Sequence, residues 1–93
     1  MPSEKRFHLI IHGHVQGVNF RYSTQQKAME LGLKGWVRNR KEGNVEIIAE
    51  GPAEVLDDFI NWCKVGPRMA TVTEVEMEEV AKTSNLTEFS IQY

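Results

Sequence analysis

The sequence predicts an α+β fold, a ferredoxin-like split βαβ sandwich in which an antiparallel sheet carries two helices on one face. Along the chain, the hydrophobic pattern alternates between strand and helix periods in the order strand, helix, strand, strand, helix, strand, and one short strand follows. Right-handed crossovers leave few other ways to assemble that order. The length of 93 residues allows one hydrophobic core. We therefore expect residues 1–93 to form a single domain.

The first strand and the first helix lie in the N-terminal third of the chain. The strand is predicted where Phe7, Leu9 and Ile11 alternate with other residues. The helix is predicted from small or apolar residues spaced four, four and three apart, namely Phe20, Thr24, Ala28 and Leu31. Gly32 is the expected C-terminal stop.

A hairpin and a second helix follow. Residues 34–40 and 44–50 are predicted strands, with Glu42-Gly43-Asn44 as the turn between them. Pro52 suits the first position of the second helix, and Gly66-Pro67 is expected to end it. The apolar stripe of this helix consists of Val55, Leu56, Phe59, Ile60 and Cys63.

The C-terminal part predicts two more strands. In residues 70–77, Ala70 and Val72 have one parity and Val75 and Met77 the other, which predicts a bulge near Thr73-Glu74. A polar loop over residues 81–87 precedes a short last strand marked by Phe89, Ile91 and Tyr93.

Composition excludes several classes of function. The net charge of −2 and the isoelectric point near 5.9 give no bulk attraction to nucleic acid or to an anionic membrane. The apolar run after the charged N-terminus is too short for a signal peptide or a membrane span. One cysteine forms no internal disulfide. We therefore expect a cytoplasmic protein, and the sequence gives no sign that it is other than a monomer.

The most informative segment joins the first strand to the first helix. It is Gly13-His14-Val15-Gln16-Gly17-Val18-Asn19-Phe20-Arg21. A glycine-containing loop that feeds a helix N-terminus presents unpaired backbone N–H groups and partial positive charge. An arginine adds a planar fork of donors suited to phosphate oxygens. The segment is consistent with an anion-binding site, and equally with an ordinary strand-to-helix turn that ends in a surface arginine.

Two motifs together resemble the acylphosphatase family. Residues 13–21 match its G-x-V-Q-G-V-x-F-R signature, and residues 31–39 are similar to its L-G-L-x-G-W-V-x-N segment. Weaker similarity covers nearly the whole chain. Glu42 stands where many members have Asp, and Arg40 where some have Thr. These departures bear on substrate preference more than on activity.

The resemblance implies hydrolysis of acyl phosphates to carboxylate and inorganic phosphate, without a cofactor, a metal or a covalent intermediate. In the family, the arginine at the position of Arg21 binds the phosphoryl group, and the asparagine at the position of Asn39 orients the attacking water. The resemblance also implies that backbone N–H groups of the loop take part in phosphate binding: His14, Val15, Gln16, Gly17, Val18, Asn19 and Phe20. Gln16 is expected to be polar support, while Val18 and Phe20 anchor the loop to the core.

Two other functions are compatible with parts of the sequence. A ferredoxin-like ligand-binding or RNA-binding module without catalysis has the same fold, although an aromatic-rich RNA-binding motif is absent. An acylphosphatase-like domain also occurs in larger carbamoyltransferases, and the chain end at Tyr93 favours the free-standing enzyme.

Two further clusters have a structural interpretation. His8, His12 and His14 share one strand parity, but no Cys or acidic residue lies nearby at ligand spacing, which argues against a metal site. Cys63 and Arg68 approach the spacing of a cysteine phosphatase loop but are one residue short. We expect Cys63 to be a core residue.

Overall fold

The computed structural model describes residues 4–82 and 85–93 of the chain. Seven elements occur in the predicted order: β1 (Glu4–His14), α1 (Phe20–Glu30), β2 (Lys34–Asn39), β3 (Val45–Pro52), α2 (Ala53–Cys63), β4 (Thr71–Val80) and β5 (Phe89–Gln92). The charged N-terminus includes residues 1–3, and the predicted polar loop over residues 81–87 includes residues 83–84. These five residues lie outside the described part. Neither described helix is long and apolar enough to cross a membrane.

The strands form one five-stranded sheet in the order β4-β1-β3-β2-β5. β1 pairs antiparallel with both β3 and β4, and β2 pairs antiparallel with β3. β5 pairs in parallel with β2, so the sheet is mixed at this edge. The α+β fold is confirmed. The sheet was expected to be antiparallel, and the parallel β2–β5 pair differs from that expectation. The sequence pattern of a four-residue strand does not encode the direction of its pairing.

The core lies between the helices and one face of the sheet. α1 buries Phe20, Thr24 and Ala28, three of the four predicted helical positions, while the fourth, Leu31, is the partly buried C-cap residue. The predicted stripe of α2 is also confirmed, and the buried core includes these sheet residues: Leu9, Ile11, Val37, Val45, Ile47, Ala49 and Phe89. Cross-strand partners such as Leu9, Ile47 and Val37 lie in one row, because paired residues share a face of the sheet.

The start of α2 differs slightly from the prediction. Pro52 is the last residue of β3 and the N-cap of α2, with φ −59° and ψ 140°, rather than the first helical residue. Its ring fixes φ at a value that both a helix and an extended chain accept, and the extended ψ keeps it in the strand. β3 therefore passes directly into α2 without a loop.

The predicted bulge in β4 is confirmed. His12 pairs with Glu74 and Gly13 with Val72, so Thr73 has no partner across the β1–β4 ladder. Gly13 makes this close approach possible. Its φ is +126°, and a Cβ atom at Gly13 would lie 2.0 Å from the carbonyl oxygen of Thr71. Position 13, the next-to-last residue of β1, therefore requires glycine.

The sheet face without helices carries charged pairs. Arg6 and Glu50 are buried together, with Arg6 Nη2 2.8 Å from Glu50 Oε1. Glu46 contacts His8 through Nε2 at 2.6 Å and accepts a hydrogen bond from Arg38 Nε at 2.6 Å. Burial raises the pKa of Glu46, but the hydrogen bonds and charges of His8 and Arg38 outweigh burial and leave that pKa below its ordinary value.

A pH-dependent contribution to stability follows from this lowered pKa. Glu46→Gln is expected to lower the free energy of unfolding at pH 7 by about 1 to 2 kcal/mol, because charge-assisted hydrogen bonds are lost. A carboxylate whose pKa is lower when folded stabilises above the unfolded pKa, here near 4.5, and this contribution disappears as the pH falls through the folded value. Urea unfolding of both proteins at pH 7 and pH 3 tests this. The deficit of the variant is expected to shrink at pH 3.

The exposed residue Glu78 of β4 offers a matched control, since Glu78→Gln removes a charge from the same sheet face. It is expected to change stability little at either pH. An equal deficit of Glu46→Gln at both pH values would contradict the role of the charge.

Candidate active site

The pocket lies where three strands end. β1 and β2 both pair antiparallel with β3 and thus run in the same direction, and β5 runs parallel to β2. Ile11 of β1 and Asn39 of β2 both pair with Val45, so the loop after β1 and the end of β2 lie at the same end of the sheet. The register of β5, in which Gln92 pairs with Arg38, brings the C-terminal residues to that end too.

The loop ends in backbone donors at the start of α1. Gly17 has φ +74°, and Asn19, the N-cap residue, has φ 65° and ψ 25°. Ser23 N donates to Asn19 O at 3.1 Å, the first bond of the helical ladder. The N–H groups of Phe20, Arg21 and Tyr22 therefore have no acceptor within the helix, and the helix dipole adds positive charge beside them.

Side chains fix the loop to its surroundings. Gln16 Nε2 donates to the carbonyl oxygens of Arg40 at 2.8 Å and Asn44 at 2.9 Å, which ties the loop to the β2–β3 turn. Val15 and Phe20 are buried, and the ring of Phe20 lies 5.9 Å from that of Trp62. The support expected from Gln16 and the anchoring expected from Phe20 are confirmed, and Val18 packs against the core while partly exposed.

A pocket of about 390 Å³ opens at the end of the sheet where β1, β2 and β5 finish. Its lining residues are Val15, Gly17, Asn19, Phe20, Arg21, Tyr22, Asn39, Ile91 and Tyr93. The structure thus brings together Arg21, Asn39 and four of the predicted loop residues. His14, Gln16 and Val18 are not part of the lining.

Arg21 is a cation at the positive end of a helix. The guanidinium carbon lies 4.8 Å from the ring centroid of Tyr93. Among residues 4–82 and 85–93, no carboxylate forms an ion pair with Arg21. A cation next to the helix N-terminus opposes the dipole, and an anion bound between them would relieve that repulsion.

Asn39 is the last residue of β2 and lies on the same face as Val37. Its amide reaches the same pocket as Arg21 from the sheet side, while the ion pair between Arg38 and Glu46 lies on the opposite face. No hydrogen bond of the Asn39 side chain occurs within the described residues, so its donor and acceptor are available to a ligand and a water.

Three lining residues were missed by sequence reasoning: Tyr22, Ile91 and Tyr93. Ile91 and Tyr93 follow Phe89 at alternate positions, so the strand period predicts that they share a face of the sheet. It does not predict that they lie beside Asn39, because that depends on the parallel pairing of β5 with β2. Tyr22 is adjacent to Arg21 in sequence, and no separate signal marked it.

The other candidate clusters have structural explanations. Cys63 is fully buried, and burial raises the pKa of its thiol, so the prediction of a core cysteine is confirmed. His8 contacts Glu46, and His12 contacts Glu76. These acidic partners come from neighbouring strands, which the spacing along one strand did not indicate. No group of three or more potential metal ligands occurs in the described ranges.

The fold and the pocket define a class: a small α+β protein in which a loop, a helix N-terminus, an arginine and an asparagine line one pocket. Comparisons with known proteins narrow the class. The family model described as Acylphosphatase matches residues 7–91. An acylphosphatase of Methylococcus capsulatus is 49% identical over 94% of this chain and 95% of its own length. One of Marinobacter nauticus is 51% identical over 90% of this chain and 91% of its own length.

The crystal structure of an acylphosphatase from Bacillus subtilis superposes with a TM-score of 0.92 at 40% identity, covering 98% of this chain and 100% of the other. The chain belongs to the acylphosphatase family. The resemblance stated from the two sequence motifs is confirmed.

Proposed function

We propose that this acyl phosphate hydrolase cleaves its substrate in the pocket of Arg21 and Asn39, by direct attack of water and without a metal cofactor. The activity is that of the family to which the chain belongs. The observation that supports this location is that three groups lie at one pocket. They are the first-turn amides of α1, an arginine without an ion pair in the described part of the chain, and the asparagine at the end of β2.

Arg21 and the amides suit the phosphoryl group. Phosphoryl transfer passes through a loose transition state with negative charge on the equatorial oxygens. The guanidinium fork and the backbone N–H groups of the α1 start supply donors on two sides of such a group. They provide the positive charge that a metal ion supplies in many other phosphoryl-transfer enzymes.

Asn39 suits the attacking water. Its amide oxygen accepts a hydrogen bond from water while its NH₂ group donates to a phosphoryl oxygen. The water oxygen attacks phosphorus, the bond from phosphorus to the carboxylate oxygen breaks with its electron pair, and the water proton leaves to the phosphate product or to solvent. The carboxylate is a good leaving group, so positioning and electrostatics account for most of the required acceleration.

Hydrolysis of benzoyl phosphate in the presence of a chelator tests the proposal. We expect benzoate and inorganic phosphate as products, undiminished activity with EDTA, and competitive inhibition by inorganic phosphate. Loss of activity with EDTA that added divalent metal restores would contradict the metal-free mechanism. No hydrolysis, together with RNA binding, would favour the binding-module alternative, which the acidic residues Glu74, Glu76 and Glu78 on the helix-free face oppose.

The remaining expectations are part of the same proposal. We propose that residues 1–93 form one acylphosphatase domain, supported by the family match over residues 7–91. We also propose a cytoplasmic monomer that binds a small acyl phosphate and neither nucleic acid nor membrane, supported by a single buried cysteine and a net charge of −2. Sedimentation at micromolar concentration tests the monomer, and a mass near twice 10.7 kDa would contradict it.

A further inference from the structure

A second depression lies directly beside the pocket, between the two helices. This helix groove has a volume of about 610 Å³ and is lined mainly by Tyr22, Gln26, Lys27 and Met29 of α1 and by Trp62 of α2. Asn19 and Tyr22 line both the groove and the phosphate pocket. The two spaces are therefore contiguous across the first turn of α1.

We propose that the helix groove binds the acyl part of the substrate and gives the enzyme a preference for aromatic acyl groups. The inference rests on the proposed function, because it assumes that the phosphoryl group occupies the pocket of Arg21 and Asn39. It adds a substrate class to that site.

The direction of the reaction supports the groove as the acyl site. In an in-line displacement the attacking water and the leaving oxygen lie on opposite sides of phosphorus. Asn39 places the water on the side of β2, next to the end of β5. The leaving carboxylate must then point away from these strands. The lining of the helix groove contains no residue of β2 or β5, and it begins at Asn19 and Tyr22 on the α1 side of the pocket.

The groove walls match an aromatic group. Tyr22 is 53% exposed and Met29 59% exposed, so a ring and a thioether face solvent without covering. Trp62 is held by Phe20 at 5.9 Å and by Phe59 at 6.4 Å between ring centroids. The one ammonium group of the lining, that of Lys27, pairs with Glu30 at 2.9 Å. The Tyr22 ring, the Met29 thioether and the Trp62 indole thus offer apolar contacts to an aromatic acyl group, among lining residues that are otherwise polar or paired in the Lys27–Glu30 ion pair.

The aromatic residue on the other side of the pocket is less suited to the acyl group. The ring of Tyr93 is already engaged by the guanidinium of Arg21 at 4.8 Å. Tyr93 also follows Gln92, the partner of Arg38, so it lies near Asn39 on the side assigned to the water.

The ratio of kcat/KM for benzoyl phosphate to that for acetyl phosphate tests the inference. Both substrates share the phosphoryl group, so general damage to the fold or to Arg21 cancels in the ratio. Tyr22→Ala and Met29→Ala are each expected to lower the ratio by about fivefold, the effect of losing a few apolar contacts. Met77→Ala is the matched control, since Met77 is 54% exposed on β4. It is expected to leave the ratio at the parental value.

The outcomes separate the two proposals. A ratio within about twofold of the parent in both groove variants overturns the groove assignment, because the loss of apolar contacts to the acyl group is expected to change the ratio by more than that. Failure of the parent to hydrolyse either substrate overturns the proposed function itself, and the groove assignment with it. Hydrolysis of both substrates with an unchanged ratio in the variants overturns the groove assignment alone.

Discussion

Arg21→Lys is expected to lower kcat/KM for benzoyl phosphate by about a hundredfold or more, the loss typical of removing a main donor to transition-state charge. Lysine keeps the positive charge but offers it from one ammonium point. The planar guanidinium can bond two phosphoryl oxygens at once, and its carbon lies 4.8 Å from the ring centroid of Tyr93. Lysine cannot reproduce the two-pronged geometry. Steady-state kinetics, with inorganic phosphate as competitive inhibitor, measure the loss.

The inhibition constant of phosphate separates a binding role from a structural one. We expect it to rise for Arg21→Lys by about tenfold, since a charge-assisted hydrogen bond contributes roughly that factor to affinity. The matched control is Arg68→Lys, at an exposed arginine in the segment after α2, which is expected to leave both constants near the parental values. Near-parental turnover by Arg21→Lys would refute the assignment of Arg21 to the phosphoryl group.

Asn39→Ala is expected to lower kcat by about a hundredfold with little change in KM or in the phosphate inhibition constant, because misplacement of a reactant by about 1 Å costs a factor of that size. The physical reason is that, in the proposed mechanism, Asn39 contributes a water-positioning amide, while Arg21 and the amides of α1 hold the phosphoryl group. The Asn39 side chain also makes no hydrogen bond inside the described part of the protein, so its truncation removes no structural contact of that kind.

Thermal unfolding accompanies the kinetics of Asn39→Ala. We expect a midpoint close to that of the parent, which distinguishes a role in turnover from a role in the hairpin. Asn61→Ala, at an exposed asparagine on α2, is the matched control and is expected to keep parental kcat. An unchanged kcat in Asn39→Ala would show that another group orients the water.

The fold was predictable because its elements have strong local patterns. α2 illustrates this, since its apolar stripe at Leu56, Phe59, Ile60 and Cys63 has one interpretation at a helical period, and all four side chains are buried. The bulge at Thr73 was predictable for a similar reason. A change of parity in an otherwise alternating strand requires one residue to drop out of the ladder.

The site was predictable only through residues that lie close together in sequence. Gly17, Asn19 and Arg21 belong to one loop and one helix start, so the arrangement of unpaired N–H groups and a cation at the start of α1 is local. Asn39 was predicted as a site residue only from the resemblance of residues 31–39 to a family motif, because no residue near it in sequence indicates that it lies close to Arg21. Its position depends on the shared pairing of Ile11 and Asn39 with Val45, a long-range contact.

The sequence by itself determined the order of the elements, the buried stripes and the strand-to-helix loop of residues 13–21, because each depends on periodicity or turn chemistry within a few residues. The tertiary structure decided which strand ends meet, and hence that Tyr93 lies beside Arg21 and that the helix groove opens next to Asn19. Strand direction and register at the β2–β5 edge arise from packing between distant segments. No single segment encodes them.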